Sequence, residues 1–452
     1  MIDEPPSSTF KELMSLSLPI MASNLLQTLY NMADAFFLGK LGTEAISAPS
    51  ITMNVSNFII VFGAAFTVAG TTLVSQAYGA DKQNRGRLDF LASQVFLVNF
   101  LMSIAVMVVG ALTTTSLVRL IKVPTGLTSV YTTQYMRITF YTIPFLFGDF
   151  IFRSVLQGIG DAMTPLYIQG FAVLLNIILD PLFIFGFGPI APMAVRGAAW
   201  ATFIARAISC TVSLGLLFGG YKGIRVTKKY LRPDKKTLKL MSRIGLPAAV
   251  GQSVSSLGFA AIQQVVNTFG PAVIAAFGIG NRIQSLFNMP AMGISQGTAV
   301  LVGRKLGAGQ AKEAQKITNK ALLISGIFIT VGMAAVLVFG AHVIRFFVDD
   351  PEVVHYGIPM FAYTSLGVVV FALYTVVLGA FQGGGVTKPV MILNILRLWG
   401  LRVPLAYVLS HFWALGPSGI WLAMLISNLV SWLWATILYK KGKWKQVLIN
   451  SE

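Results

Sequence analysis

Long apolar runs without a single charge dominate this chain. Val95–Val109, Ala321–Phe339 and Gly367–Leu378 each have the content of a membrane-spanning helix. A bilayer core about 30 Å thick calls for roughly 20 predominantly apolar residues of helix, and about twelve segments of that kind follow one another here. They run from 13–39 near the start to 418–439 near the end. Soluble domains carry roughly 25% charged residues; this chain carries 11%, with a mean hydropathy of +0.73. No water-soluble core hides that much apolar surface. The expected fold is an all-α polytopic membrane protein.

The segments are written twice. Pro19, Gly42 and Gly79 return as Pro247, Gly270 and Gly307, each about 228 residues later. Gln157-Gly158-Ile159-Gly160 resembles Gln382-Gly383-Gly384-Gly385, and Pro165, Pro181 and Gly197 return as Pro389, Pro404 and Gly419. Six spans per repeat bring both halves in from the same side of the membrane. That predicts two parallel six-helix bundles with a substrate site between them. The expected division is a bundle over 1–220, a basic linker over 221–243 and a second bundle over 244–452. Pro19, Pro144, Pro247 and Pro290 fall inside spans and are expected kink points.

Lys and Arg gather in alternate loops: Lys82 to Arg87, Lys222 to Arg243, Arg304 to Lys320, and the tail from Lys440 to Lys445. By the positive-inside rule these loops and both termini face the cytoplasm, in the inner membrane. The same rule accounts for a net charge of +18 without any nucleic-acid partner. Cys210 is the one cysteine, so no disulfide framework or cysteine metal centre is available. Met1 to Thr9 is acidic and proline-containing, unlike the basic start of a cleaved leader, so the first span is expected to remain as an anchor. His342, His355 and His411 lack metal-ligand spacing, and no catalytic motif occurs. Neither an enzyme nor a cofactor is expected, and the working unit is expected to be a monomer.

An ionisable group at membrane depth is expensive and marks function by default. The first half has two that sit deep in spans, Asp34 and Asp180; the matching places in the second half hold Ile262 and Val403. Position along the spans puts Asp34, Asp180 and Thr202 in one outer layer. Asn176 shares the face of Asp180, and Tyr30 and Gln27 share the face of Asp34. Two carboxylates in an apolar setting cannot both ionise cheaply, so the group suits a proton, or Na⁺ held by Asp34, Asp180 and Asn176. Asp149 and Arg153, four residues apart, are expected to neutralise each other along one helix. Arg206, Arg282, Arg397 and Arg402 are expected to snorkel or bond to carbonyls. Met32, Phe36, Phe37, Met53, Phe62, Gln252, Met289 and Met292 are candidates for an adaptable cavity lining. The second half is otherwise polar but uncharged, and reads as a passive wall.

With these residues in view, the chain is similar to the multidrug and toxic compound extrusion (MATE) family. The markers are Leu18-Pro19, Asp34, Gly39 to Gly42, Gln76 to Gly79, Gln157 to Gly160, Asn176 to Pro181, and Gly197 to Thr202. The resemblance implies export of amphipathic, often cationic organic compounds in exchange for H⁺ or Na⁺. Coupling would lie at Asp34, Asp180, Asn176 and Thr202, with Gln27 and Tyr30 beside them and a bend of helix 1 at Pro19. The rival reading is a flippase of lipid-linked oligosaccharide or cell-wall precursors, which needs cationic residues in its cavity. Arg206, Arg282 or Arg397 facing a cavity would favour it.

Overall fold

A computed structural model describes residues 9–189, 191–348 and 350–448, with the side chains of residues 43, 46, 54, 57–59 and 62 left undescribed. The expectation about a leader falls on Met1–Ser8, outside the described residues. The chain is helical throughout. In order come α1 (Thr9–Gly39), α2 (Thr43–Ala80), α3 (Arg85–Leu120), α4 (Leu127–Gly158), α5 (Met163–Ile184) and α6 (Val195–Gly219). There follow α7 (Lys235–Asn267), α8 (Pro271–Gly307), α9 (Ala311–Phe347), α10 (Pro351–Gly383), α11 (Thr387–Phe412) and α12 (Pro417–Lys440). Helix is the one open element that satisfies every backbone group away from water, which is why apolar sequence takes this form. Among the described residues nine helices, α3–α7 and α9–α12, are long and apolar enough to cross a membrane.

The repeat shows in the breaks as well as the helices. Gly42 and Gly270 both stand immediately before a helix with φ of 116° and 89°, a region closed to most side chains. Pro19, Pro144, Pro247 and Pro290 lie inside α1, α4, α7 and α8, as expected of kink points.

Two compact units form: Ala22–Leu246, here the N-unit, and Met1–Met21 with Pro247–Glu452, here the C-unit. The division falls inside α1 and α7, beside the repeat-related Pro19 and at Pro247, where the sequence reading drew its edges at 220 and 243. In the C-unit, a Cβ at Gly293 or Gly297 of α8 would press against Met21 or Ser17 of α1. This is the small-residue spacing that lets two helix backbones approach closely.

A matching close helix crossing recurs in each unit. In the N-unit, Gly70 of α2 lies against Ser154 of α4, whose hydroxyl donates to the Thr67 carbonyl at 3.2 Å. In the C-unit the roles are exchanged. Ser295 of α8 lies against Gly379 of α10 and donates to the Thr375 carbonyl at 2.6 Å. The basic segment before α7 is strapped to α3. Gln94, fully buried, donates to the carbonyls of Tyr230 (2.7 Å) and Arg232 (2.8 Å) and accepts the N–H of Asp234 at 3.1 Å.

Candidate functional site

Three N-unit helices bring the predicted carboxylates together. Asp34 is in the last two turns of α1, Asp180 precedes the in-helix Pro181 of α5, and Thr202 lies in the second turn of α6. Asp180 and Asn176 are completely buried, Tyr30 is 3% exposed and Asp34 8%. Asn176 Nδ2 donates to Asp180 Oδ1 at 3.1 Å, the four-residue step of one helix face. Thr202 Oγ1 donates to Asp34 Oδ2 at 3.5 Å. The carboxyls of Asp34 and Asp180 lie close enough to interact directly. Four buried atoms remain without a partner: Asp34 Oδ1, Asp180 Oδ2, Asn176 Oδ1 and the Tyr30 hydroxyl. Buried polar groups are nearly always satisfied, and oxygens gathered here without donors have the chemistry to take a proton or a small cation.

The second charged group departs from the sequence reading. Asp149 does not pair with Arg153. Its Oδ2 lies 3.5 Å from Arg206 Nη1, and its Oδ1 accepts from Ser209 Oγ at 2.9 Å. Arg153 instead donates to Gln169 Oε1 at 3.0 Å, and Gln169 bonds the Ser23 carbonyl at 2.9 Å. Arg206 does not snorkel: it is 7% exposed, donates to Gln27 Oε1 at 3.0 Å and stacks 4.8 Å over the Tyr30 ring. A buried guanidinium needs a partner more than it needs the nearest carboxylate in sequence. Arg206 thus joins Asp149 to the residues around Asp34. Its position four residues after Thr202, on the same face of α6, was the sequence signal for this link.

The proposed cavity residues are scattered. Met32, Phe36, Met53, Met292 and Gln252 are exposed. Phe37 packs on the small core of Leu38, Ala45, Ile184 and Val195, and Met289 is half-buried. The side chain of Phe62 lies outside the described residues. In the C-unit, Ile262 is buried with Val266, Phe277 and Trp421. Nearby, Arg397 and Arg402 do not snorkel: they are 4% and 3% exposed and line a cavity of about 340 Å³. They donate to side chains, Asn428 and Ser427, and Arg282 is exposed.

The MatE family profile matches this chain twice, over residues 19–182 and 247–408, one match per half of the repeat. Among its relatives, YpnP of Bacillus subtilis (strain 168), named a "probable multidrug resistance protein", is 30% identical across all of this chain and 99% of its own length. NorM of Thermotoga maritima, named in the same way, is 29% identical over 96% of this chain and 93% of its own. A solved outward-facing multidrug resistance MATE transporter superposes with a TM-score of 0.87 at 24% identity, covering 96% of this chain and 97% of that one. A doubled profile match on an all-helical chain of two units leaves one assignment: the protein belongs to the MATE family of membrane transporters.

Proposed function

We propose that the chain is a secondary active multidrug exporter that exchanges amphipathic, often cationic organic compounds for H⁺ or Na⁺, with both termini in the cytoplasm. The observation that carries this reading is the orphaned carboxyl pair of Asp34 and Asp180, buried beside Asn176, Thr202 and Tyr30. Such a pair holds one positive charge favourably and two negative charges poorly. Loading it from one side of the membrane and emptying it to the other ties ion flow to the state of α1, which carries both Asp34 and Pro19. Asp149 and Arg206 balance each other and contribute no net charge, which leaves Asp34 and Asp180 as the exchanging groups. The family relatives named for multidrug resistance support the cargo class.

The test is dye efflux in inverted vesicles under separately imposed proton and sodium gradients. The expected result is gradient-driven efflux that Asp34→Asn and Asp180→Asn abolish. Efflux with unchanged pH dependence in both variants refutes it. A second reading, flipping of a lipid-linked anionic precursor, gains one observation: Arg397 faces a cavity. Loss of dye efflux on substituting Asp34 counts against that reading.

A further inference from the structure

The helix that repeats α5 carries charge of the opposite sign. Where α5 has Asn176 and Asp180, α11 has Arg397 and Arg402, close to the repeat positions but not on them. Residues five apart on an α-helix diverge by ~140° around the axis. Here the helix widens into a π turn over Leu396–Arg402, and Val403 N–H bonds the Leu398 carbonyl five residues back. A π turn brings residues five apart nearly into line, and such turns recur at functional sites. Pro404, which has no N–H to continue the α ladder, follows directly on this turn.

Both guanidiniums therefore enter the same cavity. Both donate to Asn428 Oδ1, Arg402 also donates to Ser427 Oγ at 2.9 Å, and the Tyr374 hydroxyl lies beside Arg397. Each guanidinium has five N–H donors to satisfy. Arg397 Nε is buried without any acceptor. No carboxylate lines the cavity, and none occurs in the chain between Glu352 and Glu452. Two like charges buried without a counterion are unfavourable, and removing water sharpens that penalty. The neighbouring walls are aromatic: Arg397 stacks 4.8 Å over Phe371, and Phe259 lies 6.0 Å from Arg402. Gln284 Nε2, also buried and unpartnered, adds a further donor at the rim.

We propose that this C-unit cavity binds the oxyanion of an aromatic amphiphile, a phosphate, sulfonate or carboxylate carried on a ring. The two guanidiniums clamp the oxyanion, Gln284 donates a further bond, and Phe259 and Phe371 receive the ring. The cavity's place as a cargo site rests on the transport reading; the binding itself does not. The chemistry is shared by a soluble aromatic anion and by an anionic lipid headgroup.

The test is calorimetric titration of the full chain in phosphatidylcholine nanodiscs with 1-naphthyl phosphate, against neutral 1-naphthol. The phosphate is expected to bind at least tenfold more tightly, since charge-assisted bonds to a clamped oxyanion are strong. Arg397→Gln and Arg402→Gln are expected to remove that preference. Gln284→Glu keeps both arginines and supplies an internal counterion, so it is expected to weaken naphthyl phosphate at least tenfold even if an arginine variant fails to fold. Adding phosphatidylglycerol to the nanodiscs separates the sources: competition that depends on Arg397 assigns the site to lipid, and no competition assigns it to a soluble anion. Equal binding of phosphate and naphthol, or a preference untouched by Gln284→Glu, overturns the proposal. No gradient is imposed, so failure of coupling at Asp34 and Asp180 leaves this result readable.

Discussion

Arg206→Met is the sharpest probe of the N-unit, because one side chain holds three partners. The Asp149 carboxylate lies 3.5 Å from its guanidinium, with the two side chains 10% and 9% exposed. At an effective dielectric near 20, that separation corresponds to an attraction of roughly 5 kcal/mol. Removing one member of a buried pair typically costs about 3–5 kcal/mol, because the other charge is left stranded. Asp149 would keep the Ser209 hydroxyl at 2.9 Å and the more distant charge of Arg153, which forms no ion pair with it. For a unit of this size, the melting temperature should fall by roughly 6–20 °C. Asp149→Asn should cost less, since Arg206 keeps Gln27 and the Tyr30 ring. The double variant strands nothing, and should melt well above the sum of the two losses, by a coupling of about 2–3 kcal/mol. Melting curves of the four proteins, at one scan rate and in one detergent, give the cycle. Additive losses, or a drop of under about 2 °C for Arg206→Met, would refute the pairing argument.

Three further outcomes follow from other contacts. Gln94→Ala removes three bonds to the segment before α7 and should expose it, with trypsin cutting at Lys228 and Lys229 at least tenfold faster, as a loss of about 2 kcal/mol implies. Asp234 accepts both the N–H and the hydroxyl of Thr237 at 2.7 Å, which holds its carboxyl below the ordinary carboxylate value. Its folded value is depressed, so its contribution is complete above about pH 4 and lost as pH falls further; Asp234→Ala should cost about 1 kcal/mol at neutral pH and nothing near pH 2, read by melting at each pH. A Cβ at Gly379 would meet the Ser295 carbonyl, so Gly379→Ala should lose about 1–3 kcal/mol, whereas Gly278→Ala, with open space around it, should be neutral or slightly stabilising by the same melting assay.

What sequence alone revealed was whatever is written locally. Spans follow from runs of apolar residues, and the cluster follows from position along those spans. Asp34, Asp180, Asn176 and Thr202 meet because each is polar and stands at one depth on α1, α5 or α6, with the four-residue step joining Asn176 to Asp180. Partner choice across helices was not legible in the same way. Asp149 has Arg153 one turn away, yet pairs with Arg206 of α6, because that guanidinium is equally buried. Gln94 reads as one more polar residue near a helix start, and only the path of the segment 225–234 makes it a clasp.

The π turn of α11 also escaped, and it carries the most consequence. Five-residue spacing between Arg397 and Arg402 puts them on different faces under the ordinary helical period, so each reads as an isolated snorkelling side chain. Before Pro404 that period widens, and before Pro181 in the matching place of α5 it does not: there Asp180 and Asn176 keep the four-residue step. One duplicated helix therefore presents charge in two ways. The copy with regular pitch pairs an acid with an amide, leaving carboxyl oxygens open to a cation. The copy with the widened turn lines up two arginines over one amide, leaving N–H donors open to an anion. Reverting α11 to regular pitch tests that dependence: Pro404→Ala restores the missing N–H, and should turn Arg402 away from Arg397. The expected reading is loss of the naphthyl phosphate preference with both arginines still present. A preference that survives Pro404→Ala would mean that the pitch of α11 does not matter to the clamp.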